Sequence, residues 1–126
     1  MNTMDTRLII TGVLFLCTLL TGLWLFKLGR PLNILVNTFH KLVALGTVIL
    51  TGSIIYGQVK IVRISPFSAL IVIVSGFLFI LLFATGALLS TNKPASQGVK
   101  LIHKVFPGLA VASSVICLHL LFGGEL

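Results

Sequence analysis

The stretch that decides the fold is residues 67–90, FSALIVIVSGFLFILLFATGALLS, which carries no charged side chain. A bilayer core about 30 Å thick needs roughly 20 apolar residues for one helical crossing, and this run supplies them. In hydrocarbon each backbone N–H and C=O must find its partner within the protein, which a helix achieves within one segment. The sequence therefore predicts a transmembrane helix over this stretch.

Three further apolar runs of similar length occur in the chain. The four predicted spans cover residues 8–26, 34–56, 67–90 and 99–122. Hydrophobic residues make up 57% of the 126 positions and charged residues only 9%, too little polar surface to cover a water-soluble globule. The chain is therefore predicted to be an all-α integral membrane protein, a four-helix bundle forming a single transmembrane domain over residues 1–126.

The two halves of the chain match each other in sequence. The matched segments are Gly12-Val-Leu-Phe-Leu with Gly76-Phe-Leu-Phe-Ile, Thr21-Gly22 with Thr85-Gly86, Arg30-Pro31 with Lys93-Pro94, and Phe39-His40-Lys41 with Ile102-His103-Lys104, at offsets of 64 and then 63. Ordered matches of this kind predict two tandem helical-hairpin repeats, residues 1–64 and 65–126. Because each hairpin returns to its starting side of the membrane, the repeats are parallel, and matched residues lie at equal depth.

The nine Lys and Arg residues are divided unevenly between the two ends of the predicted helices. Six lie at the end that holds loops 1 and 3, namely Lys27, Arg30, Lys41, Lys93, Lys100 and Lys104; the other three are Arg7, Lys60 and Arg63. Short cytoplasmic loops collect positive charge, so loops 1 and 3 are predicted to be cytoplasmic, with both termini outside the cell (inner) membrane. The net charge of +7 then indicates contact with anionic lipid and not with nucleic acid.

Acidic residues are restricted to Asp5 and Glu125, one near each end of the chain. Without a carboxylate inside a span, the sequence disfavours proton-coupled transport, paired-carboxylate hydrolysis, a Ser-His-Asp triad and hard-metal sites. No residue is assigned a catalytic role, and any chemistry requires a cofactor. The composition is more typical of an electron carrier or binding protein than of a stand-alone enzyme.

His40 and His103 are matched by the repeat, at equal depth on two different helices. Pro31 and Pro94 mark the predicted first turns of these helices, which places each histidine roughly 13 Å along, near the cytoplasmic boundary of the hydrocarbon. Small residues follow each histidine at helical spacing, and they permit either close helix approach or a slot for a flat ligand. Two imidazoles so placed can ligate one metal ion from opposite sides, as in bis-histidine haem.

In these features the chain resembles the small bacterial b-type transmembrane cytochromes, in which a bis-histidine haem lies in a four-helix core. The resemblance covers the architecture, His40, His103, and the adjacent Lys41 and Lys104. It implies haem b, one-electron transfer, the two histidines as iron ligands, the two lysines beside the haem propionates, and a quinone or membrane dehydrogenase as partner. Such proteins often carry two haems, whereas a second ligand pair is missing here, because His119 is matched by Tyr56.

Two alternatives stay open beside the haem hypothesis. Histidine followed by lysine at a cytoplasmic helix end is also an ordinary interfacial anchor that binds lipid phosphate. The chain also fits a non-catalytic membrane subunit or assembly factor without a cofactor, whose helices contact partner helices or further copies in an oligomer. His119, near the outer end of helix 4, is interpreted as an interfacial or hydrogen-bonded residue.

Overall fold

A computed structural model of the chain describes residues 2–91 and 93–123. This part of the chain contains four α-helices, α1 (Thr3–Leu28), α2 (Ile34–Ile61), α3 (Pro66–Leu89) and α4 (Gln97–Gly123). All four are long and apolar enough to cross a membrane. The predicted all-α, integral membrane architecture is confirmed. Each predicted span lies on one helix, with ends that differ from those of the helix by at most five residues.

Each helix begins next to a polar side chain that accepts hydrogen bonds from the first turn. These residues are Asn2, Asn33, Ser65 and Ser96. At the start of α2, Asn33 Oδ1 accepts from the backbone N–H groups of Leu35 at 3.0 Å and Val36 at 3.1 Å. Such caps satisfy donors that the helix itself leaves unpaired, and they fix where each helix starts.

The prediction that Pro31 and Pro94 form the first turns of helices 2 and 4 is wrong by three residues. Both prolines lie in the connections, because the capping side chains start α2 at Ile34 and α4 at Gln97. Each predicted site histidine is therefore the seventh residue of its helix. Six steps of 1.5 Å place it about 9 Å from the start of the helix.

The chain forms two compact units, Met1–Ile54 and Ile55–Leu126. In the first unit α1 and α2 are in contact, with Thr18 Oγ1 and Thr47 Oγ1 3.3 Å apart. In the second unit α3 packs against α4. The boundary between the units falls within α2, whose last turns belong to the second unit. The pairs α1–α2 and α3–α4 are each two consecutive helices joined by a short connection, and each pair is an antiparallel helical hairpin.

The buried side chains are mostly small or polar, whereas large apolar side chains are exposed. Within the described ranges the buried residues are Thr11, Leu25, Thr47, Thr51, Ile54, Ser68, Ser75, Thr85, Ala110, Ser114, Cys117, Leu120 and Leu121. Exposed leucine, isoleucine and phenylalanine suit a chain whose solvent is lipid. Small residues let helix backbones approach closely, and this is the usual packing of membrane helices.

Candidate functional site

In the first hairpin, the imidazole of His40 packs against two consecutive residues of α1. Its Nδ1 lies 3.0 Å from Oγ1 of Thr21. Its Cε1 lies beside Gly22, where an added Cβ would be only 3.1 Å from that ring carbon. The glycine therefore provides the space that the ring occupies, and the threonine provides its polar partner.

The second hairpin repeats this arrangement with its own residues. His103 Nδ1 lies 2.9 Å from Oγ1 of Thr85. A Cβ added to Gly86 would be 3.0 Å from His103 Cε1. In both hairpins a half-buried histidine early in the second helix thus contacts a Thr-Gly pair late in the first.

The hydroxyl hydrogen of each threonine is directed to its own helix. Thr21 Oγ1 donates to the backbone carbonyl of Cys17 at 2.7 Å, and Thr85 Oγ1 donates to that of Leu81 at 2.7 Å. Because a hydroxyl carries one hydrogen, each Oγ1 must accept from the imidazole Nδ1–H. In the neutral ring this places the hydrogen on Nδ1 and the lone pair on Nε2.

A second acceptor lies beside His40. The backbone carbonyl of Thr18 is hydrogen-bonded to the same imidazole. A carbonyl oxygen can only accept, so this contact also requires the histidine to act as a donor towards α1.

The charges near the two histidines are all positive. Lys41 and Lys104 are exposed, and each lies about 100° around the helix from the preceding histidine. The only acidic residue in residues 2–91 and 93–123 is Asp5, whose carboxylate accepts a hydrogen bond from the Asn2 N–H at 3.3 Å in the cap of α1. Glu125 lies outside the described residues. The hydrogen-bonding side chain found at Nδ1 of each imidazole is therefore a threonine hydroxyl and not a carboxylate.

The remaining candidate ligands lie apart from this arrangement. His119 is exposed, and its ring contacts Gly123 of its own helix. Sixteen residues along α4 separate His119 from His103, roughly 24 Å. Within the described ranges there is no group of three or more His, Cys, Asp or Glu side chains that could hold a metal ion. The donor sets typical of structural zinc sites are thus absent from this part of the chain.

The hydrogen bonds of the two histidines suit ligation of haem iron, because they favour a lone pair on one ring nitrogen. Iron binds an imidazole nitrogen through its lone pair, and a metal-ligating histidine usually donates its other N–H to a polar partner. His40 and His103 both have this division of roles, with Nδ1 as donor to threonine. Their ligation of one common iron stays a prediction, as does contact of Lys41 and Lys104 with propionates.

Sequence reasoning used Thr21, Gly22, Thr85 and Gly86 only as markers of the repeat and missed their contact with the histidines. A signal was present in the spacing. In an antiparallel hairpin, residues equally far from the connection lie side by side, and Thr21 precedes the end of α1 by about as many residues as His40 follows the start of α2. In the second hairpin the spacing is less even, since Thr85 lies four residues before the end of α3 and His103 six residues after the start of α4.

Comparison with protein-family models, with curated proteins and with solved structures finds no match to this chain. The class of protein that fold and site define is a four-helix integral membrane protein with a threonine-bonded histidine in each helical hairpin.

Proposed function

We propose that the chain is a b-type cytochrome-like membrane protein that binds one haem b for one-electron transfer, with His40 and His103 as the axial ligands. The observation that carries this proposal is the threonine-bonded histidine in both hairpins. Two axial ligands to one iron must each present a nitrogen lone pair. The threonine contacts of both rings favour the tautomer that does so at Nε2.

The proposal includes a duplication that relates the two hairpins, because duplication gives two equivalent ligands at equal depth. Burial supports it. Four pairs of matched positions have both members at most 2% exposed: Thr11 with Ser75 at an offset of 64 and, at an offset of 63, Thr47 with Ala110, Thr51 with Ser114, and Ile54 with Cys117. The capping residues Asn33 and Ser96 are related by the same offset.

Each residue of the proposed site has a separate role. His40 and His103 hold the iron, and Thr21 and Thr85 orient the two rings. Lys41 and Lys104, exposed near the same helix ends, supply positive charge for two propionates. When bound, the haem supplies a one-electron couple. Ligation by both histidines would leave the iron closed to a substrate, which would favour electron transfer over oxygen activation. The partner is a quinone or a membrane dehydrogenase.

The test is the visible spectrum of protein purified in detergent from haem-replete cells. We expect a low-spin Soret band and one haem b per chain by pyridine haemochrome analysis. His40→Ala and His103→Ala should each abolish stable haem binding. His119→Ala is the matched control, because this third histidine lies on the same helix as His103, and it should leave the spectrum intact. A well-folded wild-type protein without a Soret band would refute the proposal.

The second candidate is a non-catalytic membrane subunit, and one observation favours it as well. Each histidine bonds a threonine of its own hairpin, so the pair also holds two helices together without any cofactor. In that case His40→Ala would lower the thermal stability of a colourless protein, and exposed apolar helix faces would contact partner helices. The spectrum of the wild-type protein separates the two candidates.

A further inference from the structure

We propose that Thr21 and Thr85 are positioning residues that set the tautomer and the orientation of His40 and His103. This proposal rests on the proposed function, which takes the two histidines as haem ligands. The positioning itself follows from the hydrogen-bond geometry. Oγ1 of each threonine lies 3.0 and 2.9 Å from the imidazole Nδ1. The same oxygen donates its only hydrogen to a helix carbonyl at 2.7 Å.

The second bond makes the hydroxyl selective. A free hydroxyl can turn and either donate or accept, so it would tolerate both imidazole tautomers. A hydroxyl that already donates within its helix offers the ring only a lone pair. It therefore stabilises Nδ1–H, and it leaves the lone pair on Nε2, on the other side of the ring from the threonine.

The threonines also fix how the ring is turned. Rotation of the imidazole by half a turn would place a carbon where Nδ1 now lies and would break the bond to Oγ1. The ring carbon Cε1 also lies close to the adjacent glycine, Gly22 or Gly86, where a side chain would otherwise be. A hydrogen bond on one edge and a close backbone contact beside it hold Nε2 in one direction.

This role differs from that of a bond that only joins two helices. A bond that only joins two helices contributes to stability, but it does not determine which ring nitrogen carries the hydrogen or how the histidine binds iron. A positioning residue changes the tautomer, the affinity for haem and the electronic state of the ligand. An N–H donated to an acceptor makes the opposite nitrogen a more basic ligand, and its loss should raise the midpoint potential.

The first experiment needs no haem. Haem-free protein labelled with ¹⁵N-histidine is prepared in detergent micelles at a pH where imidazole is neutral, and ring ¹⁵N shifts distinguish a protonated nitrogen from one with a lone pair. Wild-type His40 and His103 should carry the hydrogen on Nδ1. Thr85→Val should move His103 towards the other tautomer, and Thr85→Ser should preserve it. Thr21→Val should change His40 in part, because the Thr18 carbonyl remains.

The matched control is Thr11→Val, which removes a buried hydroxyl of α1 that donates to the Arg7 carbonyl of its own helix and not to a histidine. It should leave both tautomers unchanged. Wild-type protein with the hydrogen on Nε2 would overturn the proposal without any variant, so the test does not depend on folding of the valine proteins.

The second experiment uses the haem-loaded protein. Thr85→Val should weaken haem retention by about 10- to 100-fold, shift the low-spin electron paramagnetic resonance signal and raise the midpoint potential, and serine should restore all three. Unchanged values would overturn the positioning role. If no haem binds but the Nδ1–H tautomer depends on threonine, tautomer control is supported and the proposed function fails.

Discussion

Gly22 and Gly86 lie closer to an imidazole than a methyl group would allow. We expect Gly22→Ala and Gly86→Ala to force each histidine ring aside by a few tenths of an ångström, because the added Cβ would meet Cε1 at 3.1 and 3.0 Å. Overpacking of this kind costs about 1–3 kcal/mol. Thermal unfolding in detergent measures the loss, and a reduced Soret band in haem-loaded protein would report displacement of the ligand.

The same two helices provide controls for these glycine variants. Gly12 on α1 and Gly76 on α3 have no atom within 4 Å of an added Cβ. Alanine at either position should stabilise its helix by up to about 1 kcal/mol, because glycine is the poorer helix former. Equal effects at all four glycines would show that the imidazole contacts have no influence on stability.

Ser75 and Ser114 are buried hydroxyl residues of a different kind. Each is 1% exposed, and the oxygen of each has no hydrogen-bond partner among the described residues. A buried polar atom without a partner is costly, so Ser75→Ala and Ser114→Ala should each raise the unfolding free energy by about 1 kcal/mol.

Ser68 is the matched comparison for these serines, because it is also buried on α3 but lies 3.0 Å from Ser65 Oγ. Ser68→Ala should lower the unfolding free energy by about 1 kcal/mol. Chemical unfolding in mixed micelles measures all three variants. Destabilisation by Ser75→Ala as large as that by Ser68→Ala would mean that the Ser75 hydroxyl has a polar partner in the membrane.

At the level of the helices, the capping side chains determine where the histidines lie. Asn33→Ala should cost about 1 kcal/mol of helix stability, because two N–H groups of the first turn of α2 lose their acceptor. Asn37→Ala, one turn later in the same helix, leaves the cap in place and should be neutral or slightly stabilising. Thermal unfolding followed by circular dichroism measures both, and equal losses would contradict the capping role.

The same helices show what could be predicted from sequence. Uninterrupted apolar runs such as residues 67–90 predict α3 almost to the residue, since length and hydropathy alone decide whether a segment can span a bilayer. Helix starts were less well predicted, because Pro31 is more conspicuous than the Asn33 side chain that caps α2. The partner of His40 was missed, because periodicity identifies a helix face but not the neighbouring residue that the face contacts.

For the whole molecule, the distribution of positive charge along the sequence predicts how the helices are oriented in the membrane. The connections after α1 and α3, together with the adjacent helix ends, hold six exposed cations and no acidic residue in their described part. The ends that hold Arg7, Lys60 and Arg63 carry three, and Lys60 Nζ lies 4.2 Å from the centre of the Tyr56 ring. The six-to-three ratio favours connections 1 and 3 on the cytoplasmic side.

Single cysteines in the connections test this orientation in intact bacterial cells. The background is Cys17→Ala with Cys117→Ala, and the probes are Leu32→Cys and Ala95→Cys, which occupy matched positions in connections 1 and 3. Gly29 is avoided because its φ of 70° favours glycine. An impermeant thiol reagent added outside should leave both probes unlabelled until the membrane is permeabilised.

The reciprocal probe is Ile64→Cys, in the connection between α2 and α3, which should react from outside without permeabilisation. We expect opposite results at Leu32 and Ile64, because they flank α2, which is long and apolar enough to cross a membrane. Lys41 and Lys104 directly follow the two histidines, so the basic residues and the proposed ligand site lie at the same helix ends. In the predicted orientation these ends are cytoplasmic, and the lysines attract anionic lipid or propionates there. Labelling of Leu32→Cys and Ala95→Cys from outside would show that the orientation is the opposite one, with the histidines near the outer surface. The positive-inside rule would then not explain Lys41 and Lys104. Their retention there would then be attributed to a bound anion, so the labelling pattern also shows which of two forces accounts for these lysines.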